Sequence, residues 1–266
     1  MDAIIYLCFT ILGLSAGSFF NLCIDRLPQG GSIISPPSHC ENCGTRLKPA
    51  DLVPVFSYLL LRGRCRHCGV KLPLRILIVE VVTASIFPLL AWNHGLGAEL
   101  AFSIVYAGIF ILIFFIDLEH GVILYETIIP GIVLAFAFSF FQHGFEEFWP
   151  QTGPGIALSA LLGAAVGATL MLLPYLISRR VYGQEGMGSG DVYLAAIIGM
   201  ATGFPLVLVA LMAGIIAGGV FAASLLLLRR VGRKTAMPFG PFLAAGAMVA
   251  LVWGDPIADW WLSTGF

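Results

Sequence analysis

The stretch VYLAAIIGMATGFPLVLVALMAGIIAGGVFAASLLLL, residues 192–228, decides the fold class. It runs for 37 residues without one charged side chain. A helix rises about 1.5 Å per residue, so a single span across roughly 30 Å of hydrocarbon needs only about 20 residues. The stretch is too long for one crossing, and Gly203, Phe204 and Pro205 break it in its first third. It therefore reads as two helices, 191–203 and 205–228, the first short enough to need shelter from its neighbours or a tilt.

The rest of the chain follows suit. Hydrophobic residues make up 59% of the 266 positions and charged residues 11%, against about 25% charged in an ordinary soluble domain. A water-soluble fold of this size could not bury so much apolar surface, whereas a bilayer can accept it. The first apolar run, residues 3–24, has no positive segment before it and exceeds the apolar core of a signal peptide, so it reads as a retained transmembrane helix. Further runs place helices near 76–92, 98–116, 122–142, 155–177 and 239–254. The expected fold is an all-α polytopic membrane protein of about eight transmembrane helices. Its expected divisions are a first helix (1–24), a four-cysteine loop (25–75) and a membrane domain (76–266).

Charge gives the fold a direction. Of the fourteen Lys and Arg, eight lie between Arg26 and Arg75, two are Arg179 and Arg180, and four are Arg229, Arg230, Arg233 and Lys234. Eight spans with the N-terminus outside put all three groups on one side, and positive loops are cytoplasmic. The opposite loops carry Glu146, Glu147, Asp255 and Asp259 instead, and Trp149, Trp253, Trp260 and Trp261 sit where interfacial anchors belong. The net charge of −1 and the lack of any basic domain set nucleic-acid partners aside; lipid is the implied surrounding.

The loop 25–75 holds two C-x-x-C pairs, Cys40/Cys43 and Cys65/Cys68, separated by 21 residues and each followed by glycine, Gly44 or Gly69. Two such turns complete a tetrahedral sulfur site suited to zinc, and four sulfur ligands leave no open position, so the metal would be structural. Two disulfides are the alternative, disfavoured in a reducing cytoplasm; a four-thiolate iron centre is another. His39 and His67 read as neighbours of the site, and Cys8 and Cys23 as packing residues in the first helix.

Acids within or at the ends of apolar helices carry the remaining chemistry. These are Glu80, Asp117, Glu126 and Asp191; Glu99 reads as a boundary residue. Asp117 ends the run ILIFFI and Asp191 follows Gly188-Ser189-Gly190, both at the predicted cytoplasmic edge. Gly188 and Gly190 allow close approach of backbone or substrate. Two carboxylates at one site share one proton, so one can activate water while the other protonates a scissile carbonyl. A helix cap paired with a solvated end residue would explain the same acids, as would ion coupling in a transporter, although transport sites lie nearer the midplane.

These residues resemble a known family. Gly188-Ser189-Gly190-Asp191 matches the GxGD motif of membrane aspartic peptidases. Gly17-Ser18-Phe19-Phe20-Asn21 with Arg26-Leu27-Pro28, the paired cysteines, Pro73-Leu74-Arg75 leading to Glu80, and Met237-Pro238-Phe239-Gly240-Pro241-Phe242 look like the ordered signatures of bacterial type IV prepilin peptidases. The resemblance implies an inner-membrane enzyme that removes the leader of type IV prepilins or type II secretion pseudopilins at the cytoplasmic face. It implies Asp117 and Asp191 as the catalytic pair, methylation of the new N-terminus with S-adenosylmethionine, and a part for the zinc loop and Glu80 in methylation or substrate handling. An intramembrane GxGD protease of other specificity, or a transporter or assembly scaffold, is the competing reading. The chain departs from the family's pattern in two places. Ile123-Leu124-Tyr125 stands where Ile-Pro-Asp or Ile-Pro-Asn is usual, and Val192-Tyr193 stands where Val-Lys is usual. Glu119, His120 and Glu126 add charge near the first aspartate.

Overall fold

The computed structural model describes residues 3–138, 153–182, 188–228 and 238–263. Outside them fall the basic cluster Arg229 to Lys234, the loop holding Glu146, Glu147 and Trp149, and Met237 of the quoted motifs. The described chain is all-helical: α1 (Ala3–Arg26), α2 (Phe56–Leu60), α3 (Leu74–His94), α4 (Ala98–His120), α5 (Tyr125–Phe138), α6 (Gly153–Tyr182), α7 (Ser189–Thr202), α8 (Leu206–Leu227) and α9 (Gly240–Ser263). Six of these, α1, α3, α4, α6, α8 and α9, are long and apolar enough to cross a membrane; α5 and α7 are apolar but shorter. The protein is a multi-pass membrane protein.

The chain forms two compact units, residues 1–96 and 97–266. In the first, α1 lies along α3. Gly13 and Gly17, four residues apart, let the backbones meet: a Cβ added to Gly13 would fall 2.6 Å from the Thr83 carbonyl oxygen, and one added to Gly17 would fall 2.8 Å from Glu80 Cα. Small residues at this spacing are how helices associate in lipid, where no hydrophobic drive separates side chain from solvent. Asn21 on α1 donates from Nδ2 to the Ile76 carbonyl at 3.0 Å, and Arg75 bonds Asp25 at 2.5 Å, closing the end of the pair.

The second unit is built around a short helix. α7 has 14 residues, about 21 Å of helix, well short of the hydrocarbon thickness. It touches α5, α6, α8 and α9, and Leu194, Ala195, Ile197 and Ile198 are fully buried. Protein rather than lipid surrounds it, which is the shelter its length demanded. Against α6 the approach is backbone to backbone: a Cβ on Gly163 would collide with the Gly199 carbonyl, and one on Gly167 with that of Ala195.

The break between α7 and α8 falls at residues 203–205, as the glycine and proline predict. Non-helical backbone at membrane depth must find internal hydrogen-bond partners. Ser159 on α6 supplies them: its Oγ donates to the Phe204 carbonyl at 3.0 Å, and the Phe204 N–H lies 3.1 Å from the Ser159 carbonyl and 3.2 Å from its hydroxyl. Gly203, at φ 72°, takes the left-handed turn that ends α7.

Candidate functional site

Two sites stand out, one in each unit. The first gathers Asp117 and Asp191. Sequence places Asp117 at the end of its helix, but α4 continues almost one turn further, to His120. Gly121, left-handed at φ 65°, then closes it by donating its N–H to the Asp117 carbonyl at 2.8 Å. The Asp117 side chain is therefore not a solvated helix end; the residue is only 4% exposed. Asp191 is 5% exposed and occupies the third position of α7. It sits in the first turn of the helix, where an acid complements the helix dipole. That placement does not account for a second buried acid beside it.

Glycines bring the pair together. Gly240, at the start of α9, packs its backbone against the Asp117 carboxylate. A Cβ on Gly240 would lie 2.5 Å from Asp117 Oδ2 and 3.1 Å from Ile123 Cδ1, and one on Gly190 would lie 2.9 Å from Ile123 Cβ. Ile123 is thus a shared wall between the start of α9, beside Asp117, and the glycine turn before Asp191. The two carboxylates are near enough for the charge of Asp117 to act on Asp191. Gly188 lies against Asp191, 3.7 Å separating its would-be Cβ from Oδ2.

The other charges near Asp117 stay apart from this centre. Glu119, His120 and Glu126 are exposed, and Glu126 sits in the first turn of α5, where an acid complements the helix dipole. The two positions that depart from the resemblance turn out to be neighbours. Tyr125 and Tyr193 meet edge to face with ring centres 6.4 Å apart, both largely exposed. Sequence reasoning missed Gly240 and Ile123 as parts of the site. The motif around Gly240 was visible, but a close-packed glycine and an aliphatic wall carry no chemical signature of their own.

The second site is the cysteine cluster. The four sulfur atoms lie within 4.8 Å of one another, with Cys40 and Cys65 buried and Cys43 and Cys68 exposed. The two pairs repeat one design. Cys40 N–H donates to the Thr45 carbonyl and Gly44 N–H to the Cys40 carbonyl; Cys65 N–H donates to Val70 and Gly69 N–H to Cys65. Gly44 and Gly69 both take positive φ, 66° and 72°, which turns the chain under the sulfurs. The Cys40 and Cys68 sulfurs are 3.8 Å apart. That is far beyond a disulfide bond, and it matches the roughly 3.8 Å edge of a tetrahedron with zinc–sulfur bonds of about 2.3 Å. All the cysteines are free thiols. The four-cysteine cluster is compatible with a zinc site.

Electrostatics point the same way. Hydrogen bonds from the Thr45 hydroxyl and backbone pull the Cys43 thiol down to about 6, and backbone donors at Cys68 and His67 lower Cys65. Cys40, although helped by the Cys43 backbone, is pushed up to about 11 by burial and by the neighbouring thiols. The geometry offers a place for several thiolates, and a cation would be needed to hold all four. His39 turns its Nδ1 to the Pro37 carbonyl at 3.0 Å and His67 is exposed, so neither belongs to the ligand set. Cys23 is buried in α1 and Cys8 exposed on it, both apart from the cluster.

Glu80 is buried in α3, and its Oε2 accepts the Val55 N–H at 2.6 Å. It joins the cysteine loop to the helix pair and does not touch the sulfur cluster.

Fold and site define a class: a multi-pass membrane protein carrying a buried carboxylate pair and a four-cysteine cluster. Comparison narrows this. The profile of the bacterial peptidase A24 N-terminal domain matches residues 11–94, and that of the type IV leader peptidase family matches residues 104–223. The chain is 30% identical to a prepilin leader peptidase/N-methyltransferase of Pseudomonas putida over 93% of its length and 90% of the relative. It is also 30% identical to that of Bacillus subtilis, over 95% and 96%, and 27% identical to that of Pseudomonas aeruginosa, over 96% and 93%. No solved structure matches. The chain belongs to the type IV prepilin leader peptidase/N-methyltransferase family.

Proposed function

We propose that this protein cleaves the leader from type IV prepilins or type II secretion pseudopilins, with Asp117 and Asp191 as the catalytic pair. The observation that carries the assignment is the meeting of two buried aspartates from distant helices, with Gly240 packed against the Asp117 carboxylate and Gly188 against that of Asp191. Two carboxylates so placed hold one proton between them. The charged member takes a proton from water as the water attacks the scissile carbonyl. The protonated member gives its proton to the carbonyl oxygen. Collapse of the tetrahedral intermediate then returns a proton to the leaving amine. No side-chain nucleophile and no catalytic metal is required. Gly188 leaves room for an extended substrate backbone beside Asp191, whereas the space beside Gly190 is taken by Ile123.

In this reading the cysteines Cys40, Cys43, Cys65 and Cys68 hold a structural zinc, which fixes the loop and takes no part in proteolysis. The basic residues Arg26 to Arg75 and Arg179–Arg180 put the loop and the dyad at the cytoplasmic face of the bacterial inner membrane, with the N-terminus outside. The second activity, N-methylation with S-adenosylmethionine as donor, rests on family membership. No donor set among the described residues singles out a binding place for that cofactor, and no step is drawn through it. For Glu80, the bond to Val55 supports a positioning part in whichever activity uses the loop.

The test is incubation of the purified, reconstituted protein with a prepilin and a pseudopilin, reading leader loss and N-terminal mass. Asp117→Asn and Asp191→Asn should each abolish cleavage while leaving the metal content of the cysteine loop unchanged. Cleavage by either Asn variant at the wild-type rate would refute the dyad.

A further inference from the structure

The cysteine loop exposes an apolar surface that neither the metal site nor the dyad uses. Backbone hydrogen bonds Ser57 to Val53, Leu59 to Val55 and Leu61 to Ser57 make residues 53–61 helix-like, with α2 at their centre. Its two faces differ. Val55 and Tyr58 turn inward, the first donating its N–H to Glu80 and the second its hydroxyl to the Leu72 carbonyl at 3.3 Å. Val53, Phe56, Leu59 and Leu60 turn outward, Phe56 at 61% and Leu60 at 81% exposure. A soluble loop has no reason to fix such residues outward.

The fixing is deliberate in its backbone as well. Val55 sits at φ 62°, ψ −53°, a conformation that a β-branched residue adopts only where its surroundings enforce it. Glu80 enforces it, and in doing so sets a depth. Glu80 lies six residues into α3, about 9 Å along a membrane-spanning helix that starts at Leu74. Helical side chains lean toward the N-terminus, so Val55 is held near the first turn of the span, where hydrocarbon gives way to headgroups. At that depth the outward face of α2 meets lipid. Charge agrees: residues 25–75 carry eight Lys and Arg against three Asp and Glu, and Arg62, Arg64 and Lys71 are exposed, the first two directly after α2 in the chain and Lys71 bridged to Arg64 through the backbone.

We propose that Val53, Phe56, Leu59 and Leu60 form an interfacial anchor that inserts into the surface of an anionic bilayer, with Arg62, Arg64 and Lys71 binding the headgroups and Glu80 holding the anchor at its depth. Amphipathic segments of this kind bury their apolar face at the boundary of headgroup and acyl chain and add electrostatic attraction to anionic lipid. The anchor would lay the cysteine loop flat on the membrane, so that the loop does not swing freely between its two tethering helices.

The full chain with p-benzoyl-phenylalanine in place of Phe56, in nanodiscs of phosphatidylglycerol or phosphatidylcholine and without substrate, tests this. Irradiation should give a phospholipid adduct by mass, roughly fivefold more in the anionic discs. No adduct, a crosslinked dimer alone, or an adduct formed only once prepilin is added would overturn the anchor, the last two assigning the face to a second copy or to substrate. Equal yields in both lipids would overturn the headgroup contacts of Arg62, Arg64 and Lys71. As a second measurement, the Phe56→Glu, Leu60→Glu double variant in anionic discs should be cut by trypsin after Arg62 and Arg64 several times faster than wild type. An unchanged rate would count against the proposal independently of the crosslink.

Discussion

The cysteine loop and the aspartate centre reach their geometry by opposite routes. In the loop, each pair of cysteines comes from one C-x-x-C turn, and the same three features, two backbone hydrogen bonds and one left-handed glycine, build it twice. The aspartate centre has no such local unit. Asp117 lies in the last turn of α4, Asp191 in the first turn of α7, and what lies against them comes from Ile123 before α5 and Gly240 at the start of α9. The loop has few large buried side chains, so a bound ion would supply much of its folding energy. The centre is held by a buried core in which Tyr106, Phe110, Ile113, Leu194, Ile197 and Leu243 are closed to solvent. One site is fragile to loss of an ion, the other to the addition of an atom.

That contrast can be broken at the aspartates first. Gly240→Ala places a methyl group 2.5 Å from Asp117 Oδ2. Displacing a catalytic group by about 1 Å costs on the order of 10²-fold in rate, so leader cleavage should fall by about that factor with helix content unchanged by circular dichroism. A wild-type rate would show that Gly240 is not part of the centre. Gly199→Val tests the support beneath it. Its Cβ meets the Gly163 backbone rather than a yielding side chain. The expected loss is about 3 kcal/mol or more, read as a lower midpoint of thermal unfolding in detergent.

The loop should answer to different changes. Cys43→Ser or Cys68→Ser, or treatment with a strong chelator, should lower zinc to well under one ion per chain by elemental analysis. Trypsin should then cut after Arg62 and Arg64 faster. Gly199→Val, by contrast, should leave the zinc content alone. A chelator-treated protein as resistant as the untreated one would mean that the loop folds on its own packing. The smallest effect concerns acid. Asp51 bonds Arg66 at 2.7 Å, and that hydrogen bond holds its carboxyl below the usual range. A lowered folded-state value stabilises the loop fully above the unfolded value of about 4, and the stabilisation is lost as pH falls through the folded one. Asp51→Asn should therefore make the loop slightly easier to unfold at pH 7 and remove part of its sensitivity below pH 4, seen by proteolysis across a pH series. Exposed pairs contribute little, at most about 1 kcal/mol, so a large effect would mean that Asp51 has a second task.

Much of this was legible in order along the chain. Apolar runs found the long helices, and Gly203 with Pro205 found the break after α7. Cys40, Cys43, Cys65 and Cys68 announced their cluster through spacing alone, because a two-residue interval fixes two sulfurs without help from the rest of the fold. Asp117 and Asp191 stood out because acids are rare beside apolar helices. Each of these signals is local: a run length, an interval, or a charge out of place.

What the sequence could not show depends on elements that meet only in the folded chain. Ser159 looks like any small polar residue of α6 until it satisfies the broken backbone at Phe204. Glu80 read as an acid with an unassigned task, and the structure gives it the Val55 N–H. Tyr125 and Tyr193, two separate departures in sequence, form one aromatic contact in space. The sequence by itself determined a membrane protein, its break and its four-cysteine cluster, since hydropathy, helix-breaking and thiol spacing act over a few residues. The tertiary structure alone decided that two aspartates 74 positions apart in the chain share one buried site, because their approach is set by glycines that admit backbone where a side chain would stand.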